Sequence, residues 1–471
     1  MKNKTRYSLL LIALAFLTVV EGFSQNKATK TSITGQIFNP DKEYYMLRHR
    51  ENLDTIWVDT EGKFAIDIKL NQPEECKIIV GKNTIRMYVL PGDIAYCEYS
   101  ADKPNNPPVY SGKSGIYSQF FTEIAKNEMR YARNVHSKVL NPLSPARVLT
   151  VEDSILKLRI EFVEKYCTDN SLEVSFREYQ IEGMKYLTLT ELCNYRKTSS
   201  NYTADSLKSE RPSFDSAINR LPIDNLKMLY SDFYQQFVRS YVSGNAMHSM
   251  TFDSPDDYPE YYNKQMDDCL RLLKNEEVRN YMIKEIAVEA MRESGTRDIS
   301  GFIKKFEDNC TNQLMKTRVL NIWSTYAAIQ PGGLCPPTEC YDANGKNIML
   351  SELKGKVIYI DIWATWCGPC KREIPMLKEL EEEYHGKNVE FVSISTDKDI
   401  EAWKNFIVAQ NLGGLQLHQS DNFDLSISKN FIVNSIPRFI LIDANGKIVS
   451  SDAPRPSSGP TIRALLDKTL G

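Results

Sequence analysis

Residues 363–375 read WATWCGPCKREIP, and this stretch decides the fold of the C-terminal part of the chain. It follows the apolar run VIYIDIW at 357–363, whose β-branched and aromatic residues predict a buried strand. After Cys367, apolar residues recur at helical spacing, namely Ile374, Leu377 and Leu380. The pattern therefore predicts that Cys367 and Cys370 lie where a strand gives way to a helix.

The spacing of the two cysteines is that of a dithiol redox centre. At the start of a helix the unpaired N–H groups and the helix dipole favour a thiolate, so the pKa of Cys367 should fall to about 7 or below. Cys370 lies one turn further along, and Cα separations of roughly 5 Å suit a disulfide. Pro369 is tolerated in a first turn and Gly368 adds no bulk. We expect Cys367 to attack a client disulfide and Cys370 to resolve the mixed disulfide.

Two carboxylates lie close to the cysteines in sequence. Asp361 falls inside the apolar strand, where burial should raise its pKa and let it accept a proton from Cys370. The alternative for Asp361 is an aspartate in water at the strand end. Glu373 follows Cys370 by three residues, and it is either a second acid near the sulfurs or a solvated helix residue without a role.

A second apolar run, RFILI at 438–442, directly follows Ile436 and Pro437. Proline is disfavoured within a central strand, so Pro437 is predicted to form a cis turn beside the strand. The next residue, Arg438, carries a guanidinium that would lower the pKa of Cys367 or select acidic clients, unless it points into water.

With these motifs, residues 331–471 resemble the thioredoxin-fold domain of the TlpA/ResA-like thiol-disulfide oxidoreductases. The resemblance rests on Trp-Cys-Gly-Pro-Cys and the downstream Ile-Pro. It implies an α/β fold whose catalytic residues are Cys367, Cys370, Asp361, Glu373 and Pro437, the last facing the disulfide as a cis-proline. The residues expected to contact the client are Trp366, Gly368, Pro369, Ile436 and Arg438.

The resemblance also implies that Pro375 kinks the redox helix and that 397–419 forms an inserted helix and strand. Apart from the redox-active disulfide itself, no cofactor and no metal are expected. A peroxiredoxin would need Pro and Thr where this chain has Ile360 and Ala364. A zinc site of four thiolates would add two upstream cysteines, Cys335 and Cys340, but Cys367 and Cys370 already sit in a complete redox context.

The N-terminus predicts export. Basic residues precede an apolar run at 9–20, and small residues follow before Gln25, which is typical of a signal peptide over 1–24 cleaved near Ser24. The run is short for a membrane span, and an uncleaved anchor is the alternative. The predicted location is therefore a bacterial periplasm or an equivalent compartment, with peripheral membrane association left open.

Charge and motif together suggest the partners. Cleavage after Ser24 would change the net charge from −3 to −5, and no basic patch interleaved with aromatic residues stands out, so nucleic acid is not expected. The expected partners are client proteins with disulfides and an upstream thiol that donates electrons. Because Gly-Pro separates the cysteines of thioredoxin, whose potential is roughly −270 mV against −120 mV for DsbA, reduction of clients is favoured.

The rest of the chain predicts two further domains. Residues 30–102 alternate apolar and polar positions between turns, which predicts an all-β, sandwich-like domain. A proline-rich linker at 103–108 precedes a helical domain over 115–330. The β domain contains no catalytic constellation, and the many aromatic residues of the helical region are expected to form its core, with a ligand site as the alternative. A rival function is therefore a binding protein whose N-terminal regions capture a partner while the thioredoxin fold serves as a scaffold.

Overall fold

The computed structural model describes residues 28–135, 140–250, 257–294, 299–433 and 435–471. The predicted signal peptide over 1–24 lies outside these residues. The chain packs as two compact units, one extending to Gly244 and the other from Asn245 to Gly471. The predicted fold class is confirmed, since β sheets are followed by helices and then by an α/β domain. In the described ranges, no helix is long and apolar enough to cross a membrane.

The first unit begins with strands that form two sheets. The strands are β1 (Thr29–Phe38), β2 (Tyr44–His49), β3 (Asn52–Trp57), β4 (Lys63–Leu70), β5 (Glu74–Val80), β6 (Asn83–Val89), β7 (Ile94–Ser100) and β8 (Val109–Ser111). Within the described residues each sheet has four strands, in the orders β4-β1-β7-β8 and β3-β2-β5-β6. Strand β1 pairs with β7 in parallel, and the other pairs are antiparallel.

The two sheets share one apolar core. Along β4, Phe64 and Ile68 are buried while Lys63 and Asp67 are exposed, as the alternation in the sequence predicts. Strands of both sheets contribute to a single cluster of buried side chains. Beyond residue 102, β8 pairs with β7, so the sheet continues to Ser111.

Helices follow the strands: α1 (Lys113–Val135), α2 (Pro145–Asp169), α3 (Val174–Thr198), α4 (Ser200–Thr203), α5 (Arg211–Ile218) and α6 (Asp232–His248). The first unit ends within α6, at Gly244. A partly buried ionic cluster joins the β3-β2-β5-β6 sheet to α6. Arg86 on β6 lies 3.1 Å from Glu75 and 3.3 Å from Asp232, and Lys77 on β5 also contacts Asp232. The guanidinium of Arg86 lies over the ring of Phe121, 4.2 Å from its centroid.

The second unit starts with helices α7 (Tyr258–Leu272), α8 (Glu276–Ser294), α9 (Ser300–Asn309) and α10 (Gln313–Ala328). Helix α8 packs against the other three. Just after α10, Ile329 belongs to the core of the α/β domain, and its carbonyl accepts a hydrogen bond from Ser451 Oγ at 2.9 Å. The helical stretch predicted over 115–330 is thus divided between the two units.

The α/β domain consists of β9 (Glu339–Asp342), β10 (Asn347–Met349), β11 (Val357–Trp363), α11 (Gly368–Glu383), β12 (Val389–Ser395), α12 (Ile400–Ala409), β13 (Leu415–Gln419), α13 (Ile427–Asn430), β14 (Arg438–Ile442), β15 (Ile448–Ser450) and α14 (Pro460–Leu470). Its strands form a mixed sheet with the order β10-β9-β13-β12-β11-β14-β15. The interior strand β11 runs parallel to β12 and antiparallel to β14.

Strand β11 is buried along its whole length, which explains its nearly unbroken apolar sequence. Successive side chains point to opposite faces of a sheet, and the three isoleucines of β11 pack on one face. Val357 and Tyr359 pack on the other face, against Leu377 and Leu380 of α11. Asp361 shares the face of Tyr359 and therefore lies beneath the helix that begins at the cysteines.

Candidate functional site

The two cysteines lie at the N-terminus of α11. Cys367 is the residue before the first helical position, and it forms a disulfide with Cys370 across a Cα separation of 5.3 Å. The Sγ of Cys367 accepts a hydrogen bond from the backbone N–H of Cys370 at 3.2 Å. A donor aimed at this sulfur stabilises it as an anion once the disulfide is reduced. The side chains are deeply set, with Cys367 only 4% and Cys370 1% exposed.

An exposed rim and a buried cluster surround the disulfide. Trp366 is 69% exposed, and Gly368 and Pro369 are exposed beside it. Behind the rim the sulfurs pack with Trp363, Ala364 and Trp403, and with the partly buried Ile436. The peptide bond between Ile436 and Pro437 is cis, as expected from the sequence. This arrangement brings Trp366, Gly368, Pro369 and Ile436 together around the Cys367–Cys370 disulfide.

Asp361 is buried beneath α11. It is 5% exposed, and in the described part of the chain its Oδ1 has no hydrogen-bond partner. Burial, with the negative charges of Glu373 and Glu381, raises the pKa of Asp361 to about 8. The solvated alternative for Asp361 is therefore wrong. A carboxyl group that titrates near 8 can take up and release a proton at physiological pH.

Glu373 is not the solvated helix residue of the second alternative. It is buried, and its two carboxylate oxygens accept hydrogen bonds from the N–H of Ser457 at 3.0 Å and the Oγ of Ser457 at 2.9 Å. The carboxylate is thus anchored to the turn that precedes α14. Its charge acts on Asp361 through space, since it is one of the causes of the raised pKa of Asp361.

Arg438 does not point freely into water. Its Nη1 lies 3.0 Å from the Oδ1 of Asp452 and 3.4 Å from the carbonyl oxygen of Ser451. Arg438 pairs with Ile362 across the sheet, whereas Phe439 pairs with Asp361. The guanidinium is therefore partly neutralised by a neighbouring carboxylate.

Comparison with known proteins agrees with this geometry. Residues 330–466 match the Redoxin family model. The thiol-disulfide oxidoreductase ResA of Bacillus thuringiensis (strain Al Hakam) is 36% identical over 121 residues, which cover 26% of this chain and 68% of the relative. ResA of Bacillus subtilis (strain 168) is 31% identical over 122 residues, or 26% of this chain and 66% of the relative. This chain belongs to the ResA family of thiol-disulfide oxidoreductases.

Among solved structures, the thioredoxin domain of a thiol-disulfide oxidoreductase from Bacteroides vulgatus is 25% identical to this ResA-family chain. The match covers 30% of the chain and 98% of that domain, with a TM-score of 0.28. The similarity found in all these comparisons falls on the C-terminal part, where the Cys367–Cys370 disulfide lies. The protein is accordingly an enzyme of the thiol-disulfide oxidoreductase class.

A functional residue that sequence reasoning missed in this ResA-family enzyme is Asp397. It is 4% exposed at the end of β12 and accepts hydrogen bonds from the N–H and Oγ1 of Thr365 and from the Oγ of Ser395. Thr365 belongs to the loop that carries Cys367, so Asp397 anchors that loop. The signal that could have found it is its place just after β12, which runs parallel to β11, since the carboxyl ends of parallel strands share an edge.

The remaining cysteines near the ResA-like domain are unsuited to exchange. Cys340 is buried and Cys335 is partly buried, and burial raises the pKa of Cys335 to about 11 and that of Cys340 to about 12. They are not bonded to each other. Across the described ranges, no group of three or more His, Cys, Asp or Glu side chains could hold a metal ion.

Proposed function

We propose that this protein is an exported thiol-disulfide oxidoreductase that reduces disulfides of client proteins through Cys367 and Cys370. The observation that carries the proposal is the hydrogen bond from the N–H of Cys370 to the Sγ of Cys367 at a helix N-terminus. Both the donor and the helix dipole favour the thiolate form of Cys367 in the reduced enzyme. A thiolate is the attacking species in disulfide exchange.

The exchange has two steps. In the first, the Cys367 thiolate bonds to one sulfur of the client, and the client disulfide breaks with one client thiolate leaving. In the second, the Cys370 thiolate bonds to the Cys367 sulfur, the mixed disulfide breaks and the second client thiolate leaves. The client gains two electrons, and the Cys367–Cys370 pair loses them. An upstream thiol donor then returns two electrons to the enzyme.

Asp361 is the group proposed to take the proton of Cys370 before the second step. Its buried position beneath α11, its pKa of about 8 and its Oδ1 without a partner among the described residues support this role. Glu373 is less suited to the same task because both of its oxygens already accept hydrogen bonds from Ser457. We assign Glu373 to keeping the pKa of Asp361 high.

The client is proposed to dock on the rim of the disulfide. The exposed ring of Trp366 offers an apolar surface, and nothing lies within 4 Å of the position that a Cβ on Gly368 would take, so a client backbone can approach there. Pro369, Ile436 and the cis Pro437 complete the proposed contact surface. Arg438 would favour acidic clients to the extent that Asp452 leaves its charge uncompensated.

Export and the direction of exchange rest on sequence patterns. The proposed signal peptide over 1–24 and the Gly-Pro dipeptide support a reductant that works outside the cytoplasm. A redox titration of the Cys367–Cys370 pair against glutathione tests the direction. A potential near that of thioredoxin supports reduction, whereas one near that of DsbA would reverse the assignment.

Two cysteine variants test the activity. We expect Cys367→Ser to abolish the acceleration of insulin reduction over that by dithiothreitol alone. Cys370→Ser, reduced and freed of dithiothreitol, should accumulate a mixed disulfide with the client that a nonreducing gel reveals. Cys335→Ser, outside the disulfide, serves as the matched control and should retain activity. If Cys367→Ser reduces insulin at the wild-type rate and keeps the protein's biological role, the scaffold function is correct instead.

A further inference from the structure

A small cavity lies between helix α11 and the sheet of the α/β domain, away from the exposed rim of Trp366, Gly368 and Pro369. Ile374 and Leu377, which follow Cys370 by one and two turns on the same helix face, form its apolar wall. Strands β11, β12 and β13 and the turn before β13 close the other sides. The polar side chains that line it are Asp361, Trp363, Lys378, Glu381, Ser393 and Gln416.

Three buried polar atoms on the residues that line this cavity have no hydrogen-bond partner within the described residues. They are the Oδ1 of Asp361, the Nε1 of Trp363 and the Oε1 of Gln416. A buried polar atom without a partner costs about 1–3 kcal/mol, so such atoms are usually satisfied by ordered water. The space open to the centre of a water molecule is ≈ 10 Å³, which is about what one water needs. One water can donate to both oxygens and accept from the indole N–H.

Glu381 lines the same cavity and reaches towards solvent. It is half-buried near the end of α11, and its carboxylate lies against the exposed backbone of Gly413 and Gly414. A Cβ built on Gly413 would lie 2.5 Å from its Oε2, and one on Gly414 would lie 2.9 Å from its Oε1. The two glycines therefore leave the room that this carboxylate occupies.

We infer that the cavity holds a water molecule through which Glu381 passes protons between the buried Asp361 and solvent. The inference rests on the proposed role of Asp361 as the acceptor of the Cys370 proton. Asp361 transfers that proton to the water, the water transfers one to Glu381, and Glu381 releases it to solvent. At the end Asp361, the water and Glu381 have returned to their starting protonation states, and no bond to sulfur has changed. Glu381 is thus a positioning residue that acts through Asp361.

The charges around Asp361 come from a few elements. Helix α11 presents Glu373, Lys378 and Glu381, and β11 itself presents Tyr359. The neighbouring strands present Ser393, Gln416 and Phe439, which do not titrate in this range. Lys378 donates to the carbonyl of Gln410 at 2.8 Å, and Glu381 is the half-buried carboxylate among the residues that line the cavity.

The relay makes a prediction opposite to that of simple electrostatics. If Glu381 acts only by its charge, Glu381→Gln removes one cause of the raised pKa of Asp361, so more Asp361 is ionised at pH 7 and resolution becomes faster. If Glu381 relays protons, the same variant slows resolution. The sign of the rate change therefore separates the two roles.

The test uses the reduced, full-length protein and dithiodipyridine. The first thiopyridone leaves when Cys367 attacks, and the second leaves when Cys370 resolves the mixed disulfide, so absorbance follows both steps. We expect Glu381→Gln to slow the second release at pH 7 by roughly tenfold, below the ~10²–10⁴-fold of a complete general base because Asp361 is still present. The rate should also become dependent on buffer concentration, because buffer acids and bases then replace the relay.

Two more variants sharpen the experiment. Glu382→Gln removes the same charge from the next, exposed position of α11 and should leave both releases unchanged. Gly413→Ala displaces the Glu381 carboxylate without removing it, so this variant should also slow the second release. If Glu381→Gln does not fold, the rate of Gly413→Ala decides between relay and charge effect. A second release at the wild-type rate or faster in Glu381→Gln, with an unchanged dependence on buffer, overturns the relay. A wild-type protein that gives no second release overturns the proposed exchange activity instead.

Discussion

Thr365 and Asp397 are joined by two hydrogen bonds, one from the backbone N–H at 2.8 Å and one from Oγ1 at 2.7 Å. Thr365 lies two residues before Cys367, and Asp397 lies two residues beyond β12. The bonds hold the loop of the reactive cysteine against the neighbouring strand. The Asp397 carboxylate also accepts from the Oγ of Ser395, so its position is itself fixed.

Loss of this anchor should weaken the fold and the site together. Asp397→Ala leaves the N–H of Thr365 without its charged acceptor, and we expect a loss of about 2–3 kcal/mol in the free energy of unfolding. Urea unfolding measures this loss, and alkylation of reduced Cys367 should slow in parallel. Asp421→Ala, which changes an exposed aspartate of the same domain, is the control and should behave as wild type. Equal unfolding midpoints for the two variants would contradict the anchor.

The pKa of Asp361 has a consequence for stability against pH. Because the folded pKa of about 8 lies above the ordinary 3.8, the folded state binds more protons than the unfolded chain between these values. The contribution of Asp361 to the free energy of unfolding is therefore fully present below about pH 4, and it is lost as the pH rises towards 8. At ~1.4 kcal/mol per pKa unit, the loss is at most several kcal/mol.

Asp361→Asn removes the titrating group and should flatten this dependence. We expect the variant to unfold at higher urea concentration than the wild type at pH 9, with the difference shrinking at pH 5. The measurement is a pair of urea titrations of the oxidised proteins at each pH, with Asp421→Asn as the exposed control. A constant difference between variant and wild type across the range would mean that Asp361 does not carry the raised pKa.

Glu373 should influence Asp361 without exchanging protons itself. Glu373→Gln removes one of the negative charges that raise the pKa of Asp361, so that pKa should fall by about 1 unit. Titration of the Asp361 carboxyl carbon by NMR measures the change. Glu379→Gln, on the exposed side of the same helix, should leave the pKa of Asp361 in place. An unchanged pKa in Glu373→Gln would argue that burial alone raises it.

Arg438 and Asp452 form a pair whose two halves should act in opposite directions on Cys367. Arg438→Thr removes the cation and should raise the pKa of reduced Cys367, whereas Asp452→Asn frees the cation and should lower it. Each shift should be below about 1 unit, because the pair is partly exposed and screened. The rate of iodoacetamide alkylation against pH reports both. If neither variant moves the pKa, Arg438 does not act on the thiolate.

The parts of the site that the sequence predicts are those encoded locally. The apolar run of β11 and the helix after Cys367 follow from side-chain periodicity, and the cis bond before Pro437 follows from a proline at a strand boundary. The environment of Glu373 could not be predicted in this way, because its hydrogen-bond partner Ser457 lies 84 positions away in the sequence. A local pattern cannot show whether a helical glutamate faces water or a distant turn.

The groups that the sequence did not reveal depend on contacts between distant segments. Asp397 and Glu381 look like ordinary polar residues at the end of a strand and on a helix. The contacts on which their proposed roles rest form only when β12 packs beside β11 and when Gly413 and Gly414 lie against the carboxylate of Glu381. The division of the helices between two units is likewise set by tertiary packing, since one continuous helix, α6, runs through the boundary at Gly244.

The ionic cluster of Arg86, Glu75, Lys77 and Asp232 binds the N-terminal sheets to helix α6 through charges that are partly shielded from water. Removing one partner leaves the others without a counter-charge, which destabilises the contact between the sheets and α6. The sheets and α6 should therefore melt in a single cooperative transition. A truncated protein that ends before Asp232 would leave Arg86 and Lys77 without one of their counter-charges. The N-terminal β sheets should therefore be less stable when they are produced without α6.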